Sequence, residues 1–103
     1  MNDLIEIIIH NGIFTQINAI IIFKYNICYL NNKKYEVNDE FLEKIKNIIL
    51  PWKREYGTSN IIDDEEFTVK IISNNEEITY HGKGYYPFNY QVLKDLLGEL
   101  NGR

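Results

Sequence analysis

The sequence has few of the residues that cross-link chains, hold metals or attack substrates. It contains one cysteine and two histidines, His10 and His81, and no two of these three lie within four positions of each other. The lone Cys28 cannot form an internal disulfide, and its place in a strand-like run is typical of a buried, inert thiol. Because a zinc site needs several such ligands at short spacing, we expect no metal and no cofactor.

Basic residues and long apolar runs are also scarce. The net charge is −4, with 15 acidic against 11 basic side chains. A nucleic-acid binder needs a basic surface to displace counterions from phosphates, so direct nucleic-acid binding is not expected. The runs from Leu4 to Ile9 and from Ala19 to Phe23 are too short to cross a membrane, and no basic secretory leader is evident. We therefore expect a cytoplasmic protein without membrane contact.

Catalytic constellations are not indicated either. Ser59 and Ser73 lie in turn-like sequence without a motif that would activate a nucleophile. The acidic run Asp63-Asp64-Glu65-Glu66 offers paired carboxylates, but such runs are typical of solvated loops. Gly82-Lys83-Gly84 lacks the length and the Lys-Ser/Thr ending of a phosphate-binding loop, which favours a glycine-permitted turn over an anion nest. These observations predict that the protein is not an enzyme.

Apolar side chains are abundant enough for one core, since they make up 45% of the chain. The length predicts a single domain over residues 1–103. Asn11-Gly12 and Asn31-Asn32 indicate tight turns in an antiparallel meander. The most apolar run is predicted to be a central strand buried on both faces. Three to five strands are predicted in this half, formed by the runs Leu4 to Ile9, Ile13 to Ile17, Ala19 to Phe23, Ile27 to Leu30 and Lys33 to Val37.

Two stretches have helical periodicity. The first has one apolar stripe and an N-cap at Asn38 or Asp39, and it should stop before Pro51. The second follows Asn89, an N-cap candidate, with Phe88 available to pack back onto the first turn. The two stripes are Phe41, Leu42, Ile45, Ile48 and Ile49, and Val92, Leu93, Leu96, Leu97 and Leu100.

Between the helices, residues 52–66 are predicted to be irregular. Phe67, Val69 and Ile71 then alternate with polar residues, and after a turn at Asn74-Asn75 a second strand returns. The order is strands, helix, two strands, helix. The sequence therefore predicts an α+β fold, an antiparallel sheet of about five strands with both helices on one face.

Aromatic residues are concentrated at two places, each next to a helix. Tyr, Trp and Arg are enriched at the centres of protein interfaces, so an exposed recognition patch is one interpretation. The alternative is that these rings cap the open ends of the sheet and belong to the core. The predicted partner-binding residues, with the acidic run included, are Trp52, Lys53, Arg54, Tyr56, Asp63, Asp64, Glu65, Glu66, Tyr85 and Tyr86.

The second half of the chain also resembles a group of small uncharacterised bacterial proteins. In these, a W-x3-Y pair, matching Trp52 and Tyr56, precedes a unit of strand, turn, strand, G-x-x-Y-P-x-N-aromatic and helix. The matching run here is Gly82-Lys83-Gly84-Tyr85-Tyr86-Pro87-Phe88-Asn89-Tyr90, and the similarity covers roughly residues 41–100. This chain has Phe67 at the start of a strand that usually contains Trp. The resemblance implies a fold and no catalytic residues.

Two classes of function remain open. The first is a non-enzymatic protein-interaction domain, an accessory-genome factor such as an immunity protein or a phage-type inhibitor of a bacterial nuclease or CRISPR effector (anti-CRISPR). The second is a small-ligand-binding or enzymatic domain that uses the loop from Gly82 to Tyr90 as a pocket wall.

Overall fold

The described part of the chain, residues 3–102 of a computed structural model, contains seven strands, two α-helices and a single turn of 3-10 helix at Phe23–Tyr25. The predicted domain of residues 1–103 also includes Met1, Asn2 and Arg103, which lie outside the described residues. The helices are α1 (Asp39–Ile49) and α2 (Tyr90–Leu100). The strands are β1 (Leu4–Asn11), β2 (Phe14–Ile22), β3 (Ile27–Leu30), β4 (Lys33–Glu36), β5 (Glu55–Thr58), β6 (Glu65–Ser73) and β7 (Glu76–Lys83).

All seven strands form one sheet in the order β4-β3-β2-β1-β6-β7-β5. The α+β class is confirmed. The expected sheet of about five antiparallel strands is wrong in strand number and in direction, because the sheet has seven strands and one pair is parallel. The edge strand β5 is parallel to β7, and the sheet is therefore mixed. The sequence of β5, Glu-Tyr-Gly-Thr, has no apolar alternation. It forms a strand because the edge of β7 offers it backbone hydrogen-bond partners. Such partners cannot be predicted from the local sequence.

The core lies on one face of this sheet and is closed by both helices, as predicted. Ile7 of β1 is central, opposite Ala19 of β2 and Val69 of β6. The buried residues of α1 and α2 belong to the same cluster. The expectation that the strand from Ala19 is buried on both faces is wrong. Ala19 and Ile21 are buried, whereas Ile20 and Ile22 point to the open face and are partly exposed.

Capping differs between the two helices. The Asn38 side chain accepts a hydrogen bond from the Phe41 amide at 2.9 Å, so the predicted cap of α1 is confirmed. Asn89 occupies the cap position of α2 but makes no capping bond. Its amide accepts from Trp52 Nε1 at 2.6 Å and donates to the Ile48 carbonyl at 2.9 Å, which ties α2 to the end of α1. Phe88 is exposed and does not pack back onto the helix.

Gly98 is the position in α2 where a single added methyl group should stabilise the domain. It lies inside the helix, and a Cβ built on it meets no atom within 4 Å. Because alanine restricts the unfolded chain and favours helix, we expect Gly98→Ala to raise the free energy of unfolding by about 0.5–1 kcal/mol. Urea denaturation followed by circular dichroism measures this. A lower midpoint for the variant would show that this turn of α2 is not helical.

Candidate interaction surface

Three of the four aromatic residues predicted as a patch, Trp52, Tyr56 and Tyr86, pack around Phe67 together with Tyr90. Its ring centroid lies 5.5 Å from that of Trp52, 6.1 Å from Tyr56, 6.2 Å from Tyr86 and 5.1 Å from Tyr90. Trp52 is only 6% exposed, and its indole N–H is bound to Asn89. Trp52 therefore belongs to the core, in agreement with the alternative that rings cap the sheet, and it is not available to a partner.

The two predicted segments do meet along the edge formed by β5 and β7. The Ser59 amide donates to the Lys83 carbonyl at 2.9 Å. The exposed ring of Tyr85 lies over Gly57, where an added Cβ would come within 3.0 Å of it. Tyr56 is half-buried, and its hydroxyl accepts from the Lys53 amide at 2.9 Å. The ring of Tyr85 is thus exposed to solvent on one side and lies against Gly57 on the other. The ring of Tyr56 mainly packs against the core.

Lys53 and Arg54 are both exposed just before β5. The Arg54 carbonyl accepts a hydrogen bond from the His81 amide at 2.8 Å, which fixes the backbone at this point. Their two cations therefore lie at the start of the edge strand, and the acidic segment lies beyond its other end.

The loop after β7 is held by its own backbone and by Tyr86. The Gly84 amide donates to the Glu65 carbonyl at 3.2 Å and to the Tyr86 hydroxyl at 3.2 Å. The Tyr86 hydroxyl donates in turn to the Glu65 carbonyl at 2.6 Å. Burial, with the nearby carboxylates of Glu65 and Asp64, raises the pKa of Tyr86. Gly84, at φ 76°, therefore serves a packed turn, and its amide is not available as an anion nest.

The four acids predicted as one site have separate roles. Glu65 is largely buried and accepts from Lys94 Nζ at 2.9 Å and from the Tyr90 hydroxyl. Burial and this carboxylate raise the pKa of Tyr90. Glu66 points to the open face of the sheet, between the two histidines. Asp63 is exposed and Asp64 is half-buried, so Asp63 is the more accessible negative charge of this loop.

Four large apolar side chains lie on the two segments that meet at Asp63, and sequence reasoning missed them as a group. Each is at least 61% exposed. The tip of the β1–β2 hairpin and the segment 59–64 are joined because the Asn11 side chain donates to the Asp63 carbonyl at 3.3 Å. We call this surface the acidic end. It consists of Ile13, Phe14, Ile61, Ile62, Asp63 and Asp64. Two features of the sequence could have indicated this surface. One is an isoleucine at a hairpin tip, and the other is an Ile-Ile pair in a polar loop.

Both histidines lie on the open face, in a row of side chains that crosses four adjacent strands. His10 Nε2 is 3.3 Å from Glu66 Oε1, and Glu66 Oε2 is 2.6 Å from His81 Nε2. His81 Nδ1 is 2.9 Å from Glu55 Oε1. Burial acts to lower the pKa of His81, but the hydrogen bonds to Glu66 and Glu55 outweigh it and raise that pKa. The bond from His81 lowers the pKa of Glu55, aided by the Gly57 amide.

Cys28 is buried, as predicted, and burial raises the pKa of its thiol to about 11. A thiol with such a pKa stays protonated and is a poor nucleophile. Among residues 3–102, no group of three or more His, Cys, Asp or Glu side chains could hold a metal ion. No helix in the same range is long and apolar enough to span a membrane.

A shallow groove of about 510 Å³ separates the outer faces of α1 and α2. Of the loop from Gly82 to Tyr90, which was considered as a pocket wall, Asn89 alone is among its lining residues. That asparagine already bridges Trp52 and Ile48. The loop therefore contributes one side chain to this groove, and the amide of that side chain is already hydrogen-bonded within the protein.

Comparison with known proteins adds no assignment, since no family model matches the chain and no curated protein is significantly similar to it. The resemblance to small bacterial proteins stays a prediction.

Proposed function

We propose that this domain is a non-enzymatic protein-binding module that binds its partner through the acidic end. The observation that carries the proposal is the exposure of Ile13, Phe14, Ile61 and Ile62 on the two segments that meet at Asp63. Exposed apolar side chains that are grouped and rimmed by charge are characteristic of docking sites, whereas single ones are common everywhere on protein surfaces. Burying the four against a partner would remove apolar area from water, which is the main driving force of association.

The charge of the surface indicates the chemistry of the partner. Asp63 and Asp64 lie beside the apolar side chains, and the chain as a whole carries a net charge of −4. Complementary charge accelerates encounter and selects partners, so the fitting surface is apolar at its centre and basic at its rim. Tyr85, exposed near the same end, adds a residue type that often dominates binding energy.

A nucleic-acid-processing enzyme is the class of partner that fits these requirements. Such enzymes carry a basic surface to bind phosphates, and an acidic protein can occupy it. The proposal therefore includes the accessory-genome roles, an immunity protein or a phage-type inhibitor of a bacterial nuclease or CRISPR effector. In this role the domain acts by covering its partner and needs no catalytic group of its own.

The test uses two variants that are matched in exposure. Ile62 is 77% exposed at the acidic end, and Leu50 is 78% exposed on the helical layer. Truncating or charging a central interface residue costs about 2 kcal/mol of binding, which is roughly thirtyfold in affinity. We expect Ile62→Asp to weaken binding by that factor and Leu50→Asp to leave it unchanged, with similar melting temperatures for both variants.

The partner is first identified by cross-linking the wild-type protein in an extract of its host, and the purified pair is then measured by calorimetry. The affinity of the wild type should fall as salt rises, because screening weakens the contribution of Asp63 and Asp64. Equal affinities for the two variants, or binding indifferent to salt, would place the interface elsewhere.

A further inference from the structure

The row of histidines and carboxylates on the open face joins the edge strand to the rest of the sheet. His10 belongs to β1, Glu66 to β6, His81 to β7 and Glu55 to β5. In register, His10 lies opposite Glu66, and His81 lies opposite Glu55. Phe67 points to the helices, so Glu66, its neighbour on β6, points to the other face, and the row runs across that face.

His81 makes two contacts that a neutral imidazole cannot make together. Its Nε2 is 2.6 Å from a Glu66 oxygen, and its Nδ1 is 2.9 Å from a Glu55 oxygen. An ionised carboxylate only accepts hydrogen bonds, so both ring nitrogens must carry protons for both bonds to form. With both carboxylates ionised, the two bonds therefore require the imidazolium. Removing one proton breaks one bond, and the bond to the more exposed Glu55 is lost in preference to the shorter bond to Glu66.

The strand that depends on these bonds is short, and its other side-chain anchor is Tyr56, whose ring packs against Phe67. β5 has four residues, lies at the edge of the sheet and pairs with β7 in parallel, with an irregular register between Glu55 and Thr58. The backbone bonds that bracket it are His81 N–H to the Arg54 carbonyl at 2.8 Å and Ser59 N–H to the Lys83 carbonyl at 2.9 Å. In so short a strand, one side-chain bond is a substantial share of the attachment.

We propose that the protonated side chain of His81 is a latch that holds β5 on the sheet, and that alkaline pH opens it. The segment 59–64 continues directly from β5, so opening the latch also loosens the backbone that carries Ile61 and Ile62. The inference rests on the contacts of His81 and stands whether or not the acidic end binds a partner.

The direction of the pH effect follows from the two pKa shifts. The pKa of His81 is raised above its ordinary 6.5, so its contribution to stability is complete below about pH 6.5 and is lost as pH rises through the raised pKa. The pKa of Glu55 is lowered from 4.5, so its contribution is complete above about pH 4.5 and is lost as pH falls through the lowered pKa. The latch is therefore fully closed between these values and opens on the alkaline side.

The other charges near His81 do not reverse this direction. Lys83 is on the same face of β7, in register with Glu66, and a cation there opposes protonation of the imidazole. His10 shares the Glu66 carboxylate through the other oxygen, and its Nδ1 donates to the Gly12 carbonyl at 3.2 Å. The net direction is set by Glu66 and Glu55, whose hydrogen bonds and negative charges raise the pKa of His81.

The experiment is amide hydrogen exchange by NMR between pH 6 and pH 9, with protection factors corrected for intrinsic exchange. The reporters of β5 are the amides of His81 and Ser59, and the reference is the Asn31 amide, which donates to the Asn18 carbonyl at 2.8 Å in a distant hairpin. Because exposed ion pairs shift equilibria by small factors, we expect protection of the two reporters to fall about threefold relative to Asn31.

Glu55→Gln removes the carboxylate at an exposed position and should remove this pH dependence. Its matched control is Glu77→Gln on β7, also exposed, which should keep the wild-type profile. Proton resonances of the His81 ring should titrate together with the loss of protection. Reporters that follow Asn31 throughout, or a loss that persists in Glu55→Gln, would overturn the latch.

Discussion

Replacing Ile45 with Asp is expected to leave the domain unfolded or barely folded at room temperature. Ile45 is fully buried in the stripe of α1 that faces the sheet. Removing a buried isoleucine and placing a carboxyl group there should cost about 4 kcal/mol or more, because the apolar contacts are lost and the charge has no partner. Total stabilities of small domains are roughly 5–15 kcal/mol, so this change removes much of the margin.

The measurement is urea denaturation followed by circular dichroism, with Asn47→Asp as the control. Asn47 is an exposed position of the same helix, and its substitution should change the free energy of unfolding by less than about 0.5 kcal/mol. Lys46 is a poorer control because its Nζ lies 3.9 Å from the buried Asp3 and 5.8 Å from the Phe23 ring centroid. Equal midpoints for Ile45→Asp and Asn47→Asp would mean that α1 buries a different face.

Gly82→Ala is expected to be the most damaging single-methyl change that we can identify. Gly82 lies in β7 opposite Phe67, and a Cβ built on it would come within 2.4 Å of the Tyr85 carbonyl oxygen and 2.6 Å of the Phe67 ring. The first of these contacts is with backbone, which cannot move without disturbing the following turn. Overpacking of this kind costs about 1–3 kcal/mol, and we expect the upper end of that range.

Trp52, the only tryptophan, reports this change because its ring packs edge-on against Phe67. The variant should show a lower unfolding midpoint and an altered fluorescence spectrum in the folded state. Gly98→Ala, the same substitution in an open position, should move the midpoint in the opposite direction. If both variants gained stability, Gly82 would not lie as close to the Phe67 ring as the structure places it.

Local patterns of the sequence were sufficient for the helices and most turns. The stripe of α1 and the cap at Asn38 were predicted because apolar spacing and a side-chain oxygen act within a few residues. The turn pairs Asn31-Asn32 and Asn74-Asn75 were also predicted, and all four asparagines have positive φ. The first hairpin turns one residue later than expected, at Gly12 and Ile13, because Asn11 pairs with Phe14.

The candidate site could be predicted only in part. Tyr85 and Asp63 are exposed as expected, whereas Asp64 is half-buried. Trp52 and Glu65, equally plausible from sequence, are drawn inward by partners 37 and 29 positions away along the chain. Such partners are recognised only when the chain is folded, because composition and spacing do not report distant contacts.

The sequence by itself determined the α+β class, both helices, the inert Cys28 and the acidic balance, since each follows from residue type and short-range periodicity. The tertiary structure decided which aromatics are core, that residues 55–58 form an edge strand, and that His10 and His81 share Glu66. It also decided that Ile13 and Ile62 belong to one surface. These features depend on sheet order and register. Strands far apart in sequence adopt that register because it buries Ile7, Val69 and Phe67 together.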